Sequence, residues 1–293
     1  TPIAVPYGDY HAKLQILMAG GKTPDVMRVD SYYFQDFMKN RALKDISGLL
    51  KSSKFDTSRM YPVGLQDCQV DGKYYGLPWA TAPVFMFLNT KLLAEAGLAL
   101  PPSSWTWDDF VAMAKKLSKG SGETQQWGYG FTTGSLTDIL PFVWGAGGDL
   151  LDSKRTSFTL NSPAVAKRLD EMRGTNVTNG AFASPFNFQN GEALLRYFSQ
   201  GKVAMMQGAV ANILTLQKQS DFEFAILPMP GSVRYPNVTV YKSNIVGISA
   251  TTKKEAAAWT FLTFLRGPEG ERLYMQAKRM PPTYDDQQYW DLY

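Results

Sequence analysis

A helix closed by two glycines runs directly into a short apolar strand, and that strand runs directly into another helix. "YHAKLQILMAGG" (Tyr10 to Gly21) puts Tyr10, Leu14, Leu17 and Met18 on one helical face, and Gly20-Gly21 supplies the stop. "PDVMRV" (Pro24 to Val29) is then a strand, after which Asp30 or Ser31 can cap a helix whose Phe34, Phe37 and Met38 share a face. An apolar strand face and an apolar helix stripe must each be buried against something, and alternation at this spacing buries them against each other in an α/β layer structure.

The same pattern continues. "KLLAEAGL" reads as a helix ended by Gly97, and Thr106 with Asp109 resembles a capping box ahead of the apolar series Trp107, Phe110, Ala114 and Leu117. "WGYGFTT" alternates as a strand; "NGEALLRYFSQGKVAMMQG" is a capped helix, a Gly201 stop and a strand from Val203 to Met206; "FEFAILPMPG" is a strand ended by prolines. Near the end, Thr252 and Glu255 suit a capping box, and Ala258, Phe261, Leu262 and Leu265 a buried stripe, with Gly267-Pro268 as the stop. There is no internal repeat, low-complexity segment or flexible linker.

Composition narrows the chemistry. A length of 293 residues favours two domains over one, and 44% hydrophobic with 19% charged residues is ordinary for a globular protein. No apolar run approaches the about 20 residues that cross a bilayer, and the opening "TPIAVPYGDY" does not read as a basic n-region followed by an apolar h-region. The net charge is +4 with scattered lysines and arginines, so no basic stripe marks a nucleic-acid footprint. Cys68 and His11 are the sole cysteine and histidine, which excludes an internal disulfide and a Cys/His metal cluster. Cys68 reads as a buried, inert thiol and His11 as a surface helix position. Ser-His-Asp or Cys-His catalysis would have to use His11, and no nucleophile motif accompanies it. No catalytic residue, metal site or cofactor is expected.

"GKYYGLPWATAPVFMFLN" (Gly72 to Asn89) concentrates Tyr74, Tyr75, Trp79, Phe85 and Phe87 between Gly76, Pro78 and Pro83. Tyr75, Phe85 and Phe87 suit a core strand. Trp79, after the Gly-Leu-Pro turn, can be core or can present its face to a ligand.

Taken in order, "YHAKLQILMAGGKTPDVMRVDSYYFQDFMKNRALKDISGLL", "DGKYYGLPWATAPVFMFLNTKLLAEAGL", "GKVAMMQG", "FEFAILPMPG" and "GISATTKKEAAAWTFLTFLRGPEGERLYMQAKRMPP" resemble the extracellular sugar-binding proteins of ATP-driven importers, the group that includes maltose-binding protein. The resemblance covers nearly the whole chain. It implies a two-lobed periplasmic-binding-protein-like fold of the class II type, with a sugar cleft between lobes. The expected lobes are 1–82 plus 247–279 and 85–239 plus 280–293, with hinge crossings near 79–85 and 240–246. Members of the family begin with a strand and helix that precede "TPIAVPYGDY" and continue past "RMPPTYDDQQYWDLY" with further helices. The expectation is that a longer native protein, or other material, supplies those elements.

Sugars carry C–H faces and hydroxyl rims, so a site needs aromatic platforms ringed by carboxylate, amide and hydroxyl groups. A sugar hydroxyl that leaves water without a new partner costs about 1–3 kcal/mol. The resemblance points to Trp79 and Thr81 at the first crossing, Asp30, Ser31, Tyr32 and Tyr33 after the first strand, and Trp144 in "PFVWGAGGDLLD". Tyr7, Asp9, Gln207, Tyr241, Ser243 and Asn244 are further candidates. Ala82 stands where the maltose binders have a glutamate, and Ala209 or Val210 where they have an aromatic, which argues against maltose itself. The implied partners are a carbohydrate and an importer permease, for a monomer outside the cytoplasm, in a periplasm or lipid-anchored at the surface. Two alternatives stay open: a glycosidase drawing on Asp30, Asp149 or Asp152, and a ferric-ion carrier using Tyr32-Tyr33 and Tyr74-Tyr75.

Overall fold

A computed structural model describes residues 2–5, 9–132, 138–177, 180–188, 190–277 and 281–292. The strands are β1 (Val26–Asp30), β2 (Gln69–Val70), β3 (Lys73–Tyr74), β4 (Leu77–Asn89), β5 (Trp127–Gly130), β6 (Val203–Ala209), β7 (Phe224–Leu227) and β8 (Tyr241–Ile248). The chain forms two compact units, Thr1–Ala82 with Lys242–Tyr293, and Pro83–Tyr241. β4 contributes residues to both.

In the first unit β1 pairs antiparallel with β8, Val26 opposite Ile248 and Asp30 opposite Asn244. The period-2 alternation of β8 sorts its apolar residues: Ile245 joins Leu14, Met27, Val29, Phe34, Phe37 and Cys68, whereas Val246 and Ile248 join Ile46, Leu77, Ala258 and Leu262. Helix Tyr10–Ala19 packs Leu14 inward. It closes with Gly21 at φ +66°, where the Lys22 N–H reaches the Leu17 carbonyl, a backbone shape that glycine adopts without a Cβ penalty. Cys68 is buried as expected, its thiol bonded to the Gly64 carbonyl and pushed up in pKa by burial.

Three details of this unit correct the sequence reading. Thr252 forms no capping box; its hydroxyl donates to Asp25 at 2.7 Å, and helix Glu255–Arg266 starts without a side-chain cap. On that helix Phe261 is exposed, and the inward residues are Ala258, Leu262 and Arg266. Phe261 borders a groove of about 770 Å³ that Tyr10, Leu14, Met27, Trp79 and Ala258 also line. Residues 281–292, assigned above to the second lobe, belong to the first unit. Tyr284 and Tyr289 are buried against Met60 and Met275, and the Tyr61 N–H donates to the Thr283 carbonyl at 2.9 Å.

In the second unit the end of β4 is flanked by antiparallel β6 and β7, with Met86 opposite both Gln207 and Leu227, and β5 pairs parallel with β6. The expected box of Thr106 and Asp109 caps helix Trp107–Leu117. Phe110 from that helix meets Tyr129 at 4.9 Å, Phe182 at 5.2 Å and Phe142 at 5.7 Å, an aromatic core in which edge and face contacts alternate. The helix lies so close to β5 that a Cβ on Gly128 would stand 1.9 Å from the Ala114 carbonyl oxygen. Any larger residue there must push helix and strand apart. Within β4, Phe87 is fully buried and Phe85 packs against the same core, while Tyr75 just before it packs in the first unit.

Candidate functional site

In the first unit two exposed aromatic rings stand side by side at the start of the helix that follows β1. Tyr32 and Tyr33 are 54% and 37% exposed, whereas Phe34 and Phe37 of the same helix are buried. The two tyrosine rings meet edge to face at 5.7 Å. Such exposure is what a ring-stacking platform requires, because a sugar face cannot stack on a ring already covered.

Asp30 occupies the N-cap position of that helix but does not cap it with its side chain. Its carboxylate is buried and receives Arg28 Nη2 at 2.7 Å and Nε at 3.2 Å. Asn244 stands opposite Asp30 across the β1–β8 pair and is half-buried, so these two side chains share one face of the ladder. Ser31 is half-buried beside them. Ser243 is buried near Asp67, whose carboxyl is pushed up by burial.

Trp79 is half-buried in the first unit. Its ring lies 5.3 Å from Tyr274, and the Arg266 guanidinium is 5.7 Å from its centroid. It borders the groove that helix Tyr10–Ala19 and Phe261 line. Thr81 is buried and donates to the Pro282 carbonyl at 3.4 Å. Asp9 is exposed at the start of the first helix, and Tyr7 lies outside the described residues.

The second unit holds a polar chain that the sequence reading caught at one member only. Buried Tyr129 donates its hydroxyl to Gln207 Oε1 at 3.2 Å, and Gln207 Nε2 donates to Asp138 Oδ1 at 3.0 Å. Thr132 donates its hydroxyl to Asp138 Oδ2. Burial, with the negative charge of Asp138 beside it, pushes the Tyr129 phenol well up, so it stays a donor at any physiological pH. Gln207 therefore works as a link, with both ends of its amide engaged. Asp138 is half-buried. Spacing could not flag this aspartate, because Gln207 and Tyr129 reach it only through the β5–β6 pairing.

Trp144 is half-buried on helix Leu140–Gly145, packed against the second unit's core, with its indole N–H donating to Asp149 Oδ1 at 2.8 Å. Asp149 also accepts the Leu150 N–H, and Asp152 accepts the Thr156 N–H and hydroxyl, which hold its carboxyl below the usual range. Both acids are turn organisers. Tyr241 is half-buried at the start of β8. Tyr74 and Tyr75 pack against the first unit's cores.

His11 overturns its expected surface position. It is 7% exposed and stacks on Tyr33 with centroids 4.1 Å apart. Helical periodicity had turned Tyr10 and Leu14 inward, and the adjacent imidazole is buried because β1 and helix Ser31–Lys39 close over it.

Against known proteins, the pattern of the bacterial extracellular solute-binding proteins matches residues 1–272. The chain belongs to that family. Family membership makes it an extracellular solute-binding protein, with the mixed α/β fold of this group. A binding protein of Brucella abortus is 24% identical over 296 residues, spanning 99% of this chain and 69% of the relative. The arabinooligosaccharide-binding protein of Bacillus subtilis is 24% identical over 280 residues, 91% of this chain and 61% of that protein. Among solved structures, the substrate-binding protein Lmo0181 of Listeria monocytogenes, in complex with cycloalternan, superposes with a TM-score of 0.88 at 23% identity, over 99% of this chain and 73% of that one. Family and neighbours are binding proteins, and no helix among the described residues is long and apolar enough to cross a membrane.

Proposed function

We propose that this solute-binding protein captures a carbohydrate, an oligosaccharide in the first instance, and delivers it to the permease of an ABC-type importer. It does so without chemistry, as a monomer in a periplasm or lipid-anchored at the outer surface. The observation that carries the reading is the Tyr32–Tyr33 pair: two exposed rings, meeting edge to face at 5.7 Å, on the helix that follows β1. In the first unit, Tyr32 and Tyr33 supply the exposed rings, and Asp30 and Asn244 the polar group beside them. The named relatives that bind an arabinooligosaccharide and cycloalternan support a sugar of several units. Trp79, Trp144 and Thr81 are kept as secondary candidates, because each already has a partner within its own unit.

A thermal-shift screen against mono- and oligosaccharides tests this. A sugar present at about 100 times its dissociation constant adds about 2.7 kcal/mol to stability, a shift of several degrees. Stabilisation by ferric ion with visible absorbance, or turnover of any sugar in the panel, overturns the reading. So does the absence of any shift across the panel.

A further inference from the structure

The exposed platform tyrosine rests on the chain's sole histidine. Tyr33 lies nearly parallel to the His11 imidazole, 24° between planes, with its outer side open. His11 Nε2 accepts the backbone N–H of Asp30 at 3.3 Å. A ring nitrogen that accepts a hydrogen bond carries no proton, so the proton of the neutral ring sits on Nδ1, 3.9 Å from Asp30 Oδ2. Asp30 is the N-cap residue of the helix that carries Tyr32 and Tyr33. One imidazole thus supports the platform from beneath and pins the residue from which the platform's helix begins.

Protonating Nε2 would set N–H against N–H and abolish that bond. The Asp30 carboxylate, whose Oδ2 lies 3.9 Å from Nδ1 and whose Oδ1 is held by Arg28, favours the charged ring but cannot restore that bond. The other groups facing the imidazole are Tyr10, edge-on at 5.1 Å, Phe37 at 6.5 Å, and Tyr33 itself. Tyr10 is tied to β1 through its hydroxyl, which donates to the Arg28 carbonyl and accepts the Arg28 N–H.

We infer that His11, as the neutral imidazole, is the positioning residue for the Tyr33 platform and its Asp30 anchor, so that acidification weakens carbohydrate binding. This rests on the carbohydrate reading for its ligand, but the state of the imidazole can be measured without one. Burial lowers the His11 pKa; the Asp30 charge opposes the shift and the Arg28 charge adds to it. The sign follows. A depressed folded value favours the fold fully above the ordinary histidine pKa of about 6.5, and that share is lost as pH falls through the lowered value.

With one histidine in the chain, the imidazole NMR signals need no assignment. At pH 7.5 the ring nitrogens should report Nδ1–H with Nε2 as acceptor, and the midpoint should lie below that of an exposed histidine. A charged ring or an Nε2–H tautomer at pH 7.5 overturns the proposal, whether or not any sugar binds. The second arm titrates the best sugar from the screen at pH 7.5 and pH 5. Binding should depress the His11 midpoint further, and a depression of about one unit corresponds to a tenfold loss of affinity across the titration. His11→Gln keeps an acceptor near the Nε2 position without titrating and should flatten the pH profile. His11→Phe keeps a ring without an acceptor and should be weak and flat at both pH values. An unchanged midpoint on binding, or a His11→Gln profile as steep as the parent's, overturns the proposal. If no sugar binds, the carbohydrate reading fails alone while the NMR arm still decides the role of His11.

Discussion

Replacing Glu271 with alanine is expected to destabilise the first unit by about 3–5 kcal/mol, the usual result of stranding one partner of a buried ion pair. Arg266 and Glu271 are both fully buried, which is rare for such side chains, and they bond each other directly. Arg266 Nε also donates to the Pro78 carbonyl at 2.6 Å, tying helix Glu255–Arg266 to β4. Glu271 Oε1 accepts the Thr283 N–H at 2.6 Å, and the Tyr284 hydroxyl donates to the Arg266 carbonyl at 2.5 Å. The pair therefore joins the crossing strand, the last long helices and the segment 281–292, so the alanine variant leaves a guanidinium and a backbone N–H without their acceptor. Denaturant unfolding followed by tryptophan fluorescence gives the number. An Arg266→Met, Glu271→Leu double variant should recover part of the loss, because removing both charges strands neither, while the Thr283 N–H and the Pro78 carbonyl still lack their partners. A loss below about 1 kcal/mol for Glu271→Ala would place the pair in a wetter setting than its burial implies.

The second large effect falls on binding. Tyr32→Ala should weaken the best sugar about tenfold to hundredfold, because losing a ring stacked on a sugar face costs about 1–3 kcal/mol and about 1.4 kcal/mol is a decade. Tyr32 is 54% exposed, so its truncation should leave the melting temperature within a few degrees of the parent. Calorimetric titration measures the affinity. Unchanged affinity in a folded Tyr32→Ala variant, set against a clear thermal shift for the parent, would remove this ring from the site.

Local rules carried much of this protein. The Gly20-Gly21 stop, the Thr106–Asp109 box, the Asn190 cap and the burial of Phe87 all follow from interactions within a few residues or from strict periodicity, and they formed as read. Family membership was also legible, since motifs in a fixed order survive where single residues drift.

What the letters alone did not determine was decided by partners far along the chain. Thr252 left its capping role because Asp25, 227 residues away, offered a better acceptor. The last residues joined the first unit because Arg266 and Glu271 needed Thr283 to complete a buried network. His11 went inside because Asp30 and Tyr33 close over it, and Asp138 gained a fixed orientation only when β5 and β6 brought Tyr129 to Gln207. Propensity and spacing act through neighbours on one helix or strand. Burial of a polar group is settled instead by whichever donor or acceptor the fold brings within about 3 Å, and for His11 and Asp138 only the tertiary structure could supply it.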